Sequence, residues 1–307
     1  MMNDTTATSR AVLTRHARSF RLAGRFLPGE QLDEAAVVYA FCRMVDDAAD
    51  EAPDHDTAEA ALSEISAEVR GQAPADHITA AFLDICRRRG IPLVAAKELI
   101  AGVDSDLGTV RLRNDAELTR YSYRVAGTVG LMMCGVLGVT DRTAWAHAIA
   151  LGIGMQITNI CRDVMEDAGR GRVYLPEDRL AAAGITDEQL LNGSHDRAAL
   201  AGVVSDLLDV ADENYAYAEC GMAAIPWRGR LGILIASRLY RAIGVRLRRV
   251  HGSDPTHGRT ITTRTEKALA ICSGLLRFFH PVTLGLITGR APAPITASHV
   301  PPLLEAA

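Results

Sequence analysis

The chain has 307 residues, of which 48% are hydrophobic and 23% charged, with a net charge of −4. That balance belongs to a globular protein with a sizeable core. The mild acidity, with no long basic run, argues against nucleic acid as a partner.

Residues 1–10 are polar and lack the apolar centre of a signal peptide. Beyond them Ala, Leu and Arg dominate, Gly and Pro punctuate segment ends, and strand-like alternation is nearly absent, an all-α pattern. Helices are predicted over 9–26, 32–50, 57–70, 76–89, 93–107, 115–137, 142–167, 187–191, 197–223, 227–250 and 265–279. No 20–50-residue period recurs and no composition break marks a linker, so one helical domain over 1–289 is expected. The Pro-, Ala- and Thr-rich 290–307 reads as a flexible tail. Cys42, Cys86, Cys134, Cys161, Cys220 and Cys272 form no Cys-x-x-Cys pair and read as buried thiols of a reducing compartment. No uncharged run gives a spanning helix. The nearest, 145–161, is broken by His147, Gln156 and Asn159. A cytoplasmic protein is expected, with peripheral membrane contact as its only lipid option.

Two acidic clusters stand out. Asp46-Asp47-Ala48-Ala49-Asp50-Glu51 precedes the breaker Pro53, and Asp163-Val164-Met165-Glu166-Asp167 precedes Gly169-Arg170-Gly171. Each holds an i, i+4 aspartate pair in a last helical turn, where both the like charge and the helix dipole disfavour it. Two such clusters suggest a divalent cation between them, and Mg²⁺ suits oxygen ligands shared with phosphates.

Tyr39, Arg43, Asp46 and Asp50 form one stripe on the first helix, readable also as an exposed Arg–Asp face. Gly152, Gln156, Asn159, Asp163 and Asp167 form a single polar stripe on an otherwise apolar helix. Buried amides left unpaired cost about 1–3 kcal/mol each, so this stripe reads as a site lining. Arg162 lies off it and suits either a phosphate or a structural acid. The loop from Gly169 to Pro176 carries Arg170 and Arg172, which pair well with anionic oxygens; a surface loop pairing with Glu166 is the simpler account. The predicted helices 115–137 and 142–167 are apolar on nearly every face, which places them mid-bundle. A bundle of that kind, with acids at one end, makes a deep apolar cavity with a charged mouth, suited to an amphiphile with a greasy tail and an anionic head.

These motifs resemble the squalene/phytoene synthases, the head-to-head isoprenyl diphosphate synthases, from about His16 to Lys267. Ser19-Phe20 with Leu27-Pro28 resembles the family's opening segment, and Tyr39-Ala40-Phe41-Cys42-Arg43-Met44-Val45-Asp46-Asp47-Ala48-Ala49-Asp50 its first signature. Tyr121 through Gly130 resembles its Tyr…Val-Ala-Gly-Thr-Val-Gly segment. Gln156-Ile157-Thr158-Asn159-Ile160-Cys161-Arg162-Asp163-Val164-Met165-Glu166-Asp167, then Arg170 to Pro176, resembles its second signature and flap. The first motif also fits head-to-tail prenyltransferases and terpene cyclases, but the second fits neither.

The resemblance implies an all-α, single-domain isoprenoid-synthase-type bundle around a deep apolar central cavity. It implies Mg²⁺, or Mn²⁺ in its place, on Asp46, Asp50, Asn159, Asp163 and Asp167, with Arg43 and Tyr121 joining the aspartates in catalysis. Substrate would be bound by His16, Ser19, Phe20, Tyr39, Arg43, Gln156, Asn159, Arg162, Arg172, Tyr240 and Arg259. Two prenyl diphosphates would couple through a cyclopropyl diphosphate intermediate to a linear hydrocarbon. The motif wording is most similar to bacterial phytoene synthases, implying geranylgeranyl diphosphate as substrate, 15-cis-phytoene as product and no NADPH. Squalene, dehydrosqualene or presqualene diphosphate synthesis from farnesyl diphosphate is the alternative. A non-catalytic scaffold is a further one, disfavoured by the four intact aspartates. The apolar stretch 128–140 suits a tunnel wall. Leu275-Leu276-Arg277-Phe278-Phe279-His280-Pro281 is a candidate membrane-touching patch for release of an apolar product, or else a core-packed last helix.

Overall fold

The computed structural model describes residues 26–287 together with 9, 10, 24, 289 and 294. His16, Ser19 and Phe20, most of the predicted helix 9–26, and all but Pro294 of the tail 290–307 lie outside the described residues. Twelve α-helices follow one another in the described part: α1 (Gly29–Asp50), α2 (His55–Val69), α3 (His77–Arg89), α4 (Leu93–Asp104), α5 (Asp115–Ser122), α6 (Thr128–Leu137), α7 (Trp145–Gly169), α8 (Glu177–Ala182), α9 (Asp187–Asn192), α10 (Arg197–Cys220), α11 (Trp227–His251) and α12 (Arg264–Phe278).

Side-chain caps fix many of the starts. Asp54 accepts from Thr57 N at 2.8 Å, Asp76 from Thr79 N at 2.7 Å and Asn114 from Glu117 N at 3.1 Å. Thr263 and Glu266 form a capping box at α12. The sequence α7 runs through the middle, packed against α10 on one side, α5–α6 on another and α11 on a third. α1 lies on α2, α3, α4 and α6, tied by the stacked Phe41–Phe82 pair at 3.9 Å and by Glu34, which accepts from Arg88 at 2.7 Å and from Arg89 at 2.9 Å. The near-absence of side chains at two glycines sets how closely α7 approaches its neighbours. A Cβ at Gly152 would lie 2.3 Å from Ala126 O, and one at Gly130 would lie 2.3 Å from Ala148 O.

Three local features depart from the sequence expectation. The predicted helix 115–137 widens at Tyr123–Gly127 into a π turn, where Thr128 Oγ1 donates to Arg124 O at 2.7 Å. A uniformly apolar segment gives no periodic signal for one wider turn. The short α8 was not expected, although Pro176 at its start and Glu177 and Asp178 in its first turn are start signals. The cysteines are all free thiols, but only Cys42, Cys86, Cys134 and Cys161 are buried; Cys220 is half-buried and Cys272 exposed, because the outer face of α12 has no covering element among the described residues.

That outer face is apolar. Gly274 lets α12 settle on α11, where an added Cβ would lie 3.2 Å from Ile235 Cα, and Phe278 is partly buried. Leu276 and Phe279 remain 76% and 70% exposed. The helix is thus core-packed on one side and bare on the other. No described helix is long and apolar enough to cross a membrane.

The glycine contacts generate a paired prediction. Gly130→Ala is expected to destabilise the fold by about 1–3 kcal/mol through overpacking. Gly202→Ala, on an exposed face of α10 with nothing within 4 Å, is expected to stabilise it by about 0.5–1 kcal/mol. Denaturant midpoints of the two variants should move in opposite directions; matching shifts would mean that the α6–α7 approach is not tight.

Candidate active site

Three helices end at one polar pocket of about 410 Å³. Asp46 and Asp50 come from the last two turns of α1, Asp163 and Asp167 from those of α7, and Asp106 from just beyond α4. Each helix directs the negative end of its dipole at the same space. Arg43, Arg162 and Arg172 line the pocket as counter-charges. Arg43 pairs with Asp47, and its Nε has no hydrogen-bond partner among the described residues. Arg162 clamps Asp163 through two nitrogens, Nε at 2.7 Å from Oδ1. Arg172 Nη1 reaches Asp50 Oδ1 at 3.4 Å.

The loop after α7 divides its arginines. Arg170 turns back to Glu166 at 3.8 Å, the simpler pairing foreseen from sequence, whereas Arg172 enters the pocket. Gly171, at φ +76°, makes the turn that a side chain would strain. The loop is stitched down beyond that point: Val173 N donates to Val110 O at 3.2 Å, and Arg111 Nη1 donates to Gly171 O at 3.1 Å.

Crowded acids behave accordingly. Burial, reinforced by Asp50, Asp47 and Asp106 and only partly relieved by Arg43, pushes Asp46 up to about 7 from its ordinary 3.8. Burial pushes Asp167 up to about 6, with Asp163 and Glu166 adding to it and Arg170 and Arg172 opposing. Asp106 also rises to about 6 through burial, although Tyr121 and Tyr174 each donate a hydroxyl to it at 2.9 Å. The two tyrosine rings stack at 4.8 Å.

A second cavity of about 330 Å³ opens from the polar one, sharing Asp46, Val125, Gln156 and Asn159 with it. Its wall is Ala, Gly, Leu, Met, Val and Ile from α1, α6, α7 and α11, including Val129, Met133 and Leu137 of the stretch 128–140. α7 lines it along one face through Asn159, Gln156, Met155, Gly152, Leu151, Ala148 and His147, and Ala144 in the 3-10 turn before the helix continues that wall. Asn159 Nδ2 donates to Gln156 Oε1 at 3.5 Å, while the buried Asn159 Oδ1 has no hydrogen-bond partner among the described residues.

The expected site residues therefore separate. Arg43, Asp46, Asp50, Tyr121, Gln156, Asn159, Arg162, Asp163, Asp167 and Arg172 meet in the polar pocket. Tyr39 and Tyr240 line the apolar one, and burial raises the pKa of both. Arg259 sits at the outer rim, bound to Glu166 at 3.0 Å and to Asp163 at 3.4 Å, and does not line either cavity. Sequence reading missed Asp106 and Tyr174 as pocket residues. Asp106 carries no local mark, since its burial is created by two tyrosines from distant segments; Tyr174 was visible only as part of the loop.

The shifts fix a sign for pH. The fold favours protonated Asp46, so its contribution is fully present below about 3.8 and is lost as pH climbs through about 7; Asp106 and Asp167 act in the same sense near 6. With a chelator present, the melting temperature is expected to fall as pH rises from about 5 to about 8. Asp46→Asn should flatten the upper part of that curve. A melting temperature that climbed over the same range would contradict the buried, crowded state of these acids.

The family described as squalene/phytoene synthase matches residues 13–266 of the chain. A 15-cis-phytoene synthase of Paracoccus sp. is 35% identical over 276 residues, covering 87% of this chain and 89% of that protein. A phytoene synthase of Rhodobacter capsulatus is 34% identical over 266 residues, covering 84% and 77%. A solved dehydrosqualene synthase in complex with ligand superposes with a TM-score of 0.79 at 23% identity, over 90% of this chain and 96% of that one, and so shares the all-helical fold. The chain belongs to the squalene/phytoene synthase family and is a prenyltransferase of its head-to-head type.

Proposed function

We propose that the chain condenses two geranylgeranyl diphosphates into 15-cis-phytoene, through a cyclopropyl diphosphate intermediate and without NADPH. The observation that carries the twenty-carbon choice is the length of the apolar cavity. From Asn159, where it meets the polar pocket, to Ala144 in the turn before α7, its wall follows fifteen residues, about 22 Å of helix. An isoprene unit adds four chain bonds, about 5 Å when extended. Four units come close to that length, whereas three leave its end empty. The relatives named phytoene synthase, at 34–35% identity, support the same choice.

Asp46, Asp50, Asn159, Asp163 and Asp167 would hold Mg²⁺, with Mn²⁺ as a substitute. The donor set is entirely oxygen, Asn159 Oδ1 is without a partner among the described residues, and three helix ends concentrate negative potential there. No three His, Cys, Asp or Glu among the described residues are grouped to hold an ion by themselves, so substrate phosphates would have to complete the shell of any Mg²⁺. When bound, the ion supplies Lewis-acid neutralisation of the diphosphate oxygens. Arg43 and Arg172 line the pocket with partial commitments to Asp47 and Asp50 and can turn to diphosphate oxygens. Arg162, inside the pocket, and Arg259, at its rim, orient Asp163 and would reach diphosphate from those two sides, with Tyr240 adding a hydroxyl. Tyr121, donating its proton to Asp106, presents its oxygen lone pairs to the pocket, where they face developing positive charge. The apolar wall keeps water from the allylic cation and holds both chains in reacting register. His16, Ser19 and Phe20 would complete the substrate contacts.

A forty-carbon hydrocarbon cannot leave into water. The bare face of α12, with Leu276 and Phe279, continues into exposed Leu286 and Ile287, and we place peripheral membrane contact there.

Two experiments test these assignments. The chain is incubated with Mg²⁺ and either farnesyl or geranylgeranyl diphosphate, with and without NADPH, and the hydrocarbon is identified by mass and ultraviolet spectrum. A conjugated triene of forty carbons, independent of NADPH, is expected, with Asp50→Ala and Asp163→Ala reducing turnover by about 10²-fold or more; the melting temperature should hold or rise in Asp50→Ala and fall in Asp163→Ala, which strips Arg162 of its buried partner. A thirty-carbon product formed better from farnesyl diphosphate would move the chain to the other branch. In the second experiment the chain is floated with anionic phospholipid vesicles. Leu276→Asp combined with Phe279→Asp should release it while leaving detergent-assayed turnover intact; retained flotation would exclude this face.

A further inference from the structure

Three segments that are far apart in the chain meet at one carboxylate. Asp106 stands in the turn that ends α4, where its N–H donates to Val103 O at 3.0 Å. Its Oδ2 accepts from the Tyr121 hydroxyl, in the last turn of α5, and its Oδ1 from the Tyr174 hydroxyl, in the loop after α7, each at 2.9 Å. Both tyrosines are buried, and their rings stack at 4.8 Å. Each carboxylate oxygen thus holds one hydroxyl, so the group cannot turn without disturbing both.

The two tyrosines belong to different bodies. Tyr174 goes with the loop. Arg172, two residues earlier, reaches Asp50 at 3.4 Å, and the loop runs along residues 110–113, with Val173 N donating to Val110 O at 3.2 Å and Glu177 N to Leu112 O at 2.8 Å. Tyr121 goes with the bundle and lines the polar pocket. A phenol hydroxyl has one proton to donate and lone pairs that accept. While Asp106 takes the proton, the lone pairs are left for the pocket; with Asp106 displaced, the proton can point there instead and repel positive charge. We propose that Asp106 is a positioning residue that couples the seating of the loop to the aim of the Tyr121 hydroxyl. The hydroxyl then faces the reacting carbons with its lone pairs only while Tyr174 and Arg172 are in place. This coupling rests on the role given to Tyr121 above.

The test measures kcat, KM and the Mg²⁺ requirement of Asp106→Leu, Asp106→Asn and Tyr174→Phe, each alone and combined with Tyr121→Phe. The substrate is labelled prenyl diphosphate of the length that the wild type turns over, and melting curves verify that each variant is folded. Tyr121→Phe alone should lower kcat by about 10²-fold. Outer partners that orient a metal ligand are worth about 10–100-fold in activity, and the same scale is expected for partners that orient a catalytic hydroxyl. Asp106→Leu and Tyr174→Phe alone should therefore lower kcat by about tenfold or more, with little change in KM. In the Tyr121→Phe background the same changes should cost about twofold or less in kcat, because the group they aim is gone. Asp106→Asn keeps the shape but offers one acceptor oxygen to two donating hydroxyls, and it carries the comparison if Leu does not fold. Costs that multiply in the double variants, or a raised Mg²⁺ requirement in Asp106→Asn, would show Asp106 acting in its own right and overturn the coupling. An unimpaired Tyr121→Phe would instead remove the catalytic reading of Tyr121, and the coupling with it.

Discussion

The protein is organised around a repulsion. Five carboxylates from the ends of α1, α4 and α7 line one pocket, and the three helix dipoles add to their charge instead of relieving it. The scaffold must hold these ends together against that force. It does so with close backbone contact at Gly130 and Gly152, with the Glu34 clamp of α1 onto α3, and with a loop stitched to residues 110–112 that brings Arg172 to Asp50. The arginines are too few and too committed to neutralise the site, so Asp46, Asp106 and Asp167 remain near the point where they take up protons. Such a site would take the divalent cation proposed above, with the phosphates that accompany it.

The same constraint explains the second half of the cavity. A stripe on one face of α7 changes character partway along: acids and amides from Asp167 to Gln156, then Met, Gly, Leu and Ala down to Ala148. The boundary at Gln156 and Asn159 faces Val125 in the π turn. One helix therefore lines both the charged pocket and the apolar cavity, and in the proposed reaction the short distance between the two would let a cation form beside its leaving group yet react in a dry space.

Much of this was legible in the sequence because it is periodic. Aspartates at i, i+4 in last turns and amides at i, i+3 on an apolar helix are local facts, and they mark Arg43, Asp46, Asp50, Gln156, Asn159, Asp163 and Asp167 of the pocket, whereas Tyr121, Arg162 and Arg172 were assigned through the family resemblance. The helices were legible from punctuation for the same reason. What was hidden is non-local. Asp106 becomes a site residue only when Tyr121 and Tyr174, from two other segments, close over it. The π turn lies in a run too evenly apolar to mark it. Cys272 was misread because burial was inferred from residue type, whereas the exposure of α12 depends on what covers it.

Why the family is plain and the product is not follows from where the two are encoded. Recognition of diphosphate requires charged groups, and charged groups can sit in an apolar helix only in special arrangements, each of which leaves a motif. On the proposed reading, chain length would be decided in the wall beyond Gln156, which is built largely of Ala, Gly, Leu and Met, residue types common in any core. Such residues determine a length by their positions in space, not by their order in the chain. His147 departs from that rule, because a polar ring in this wall requires its own hydrogen bond to Tyr217 and its own glycine at 221.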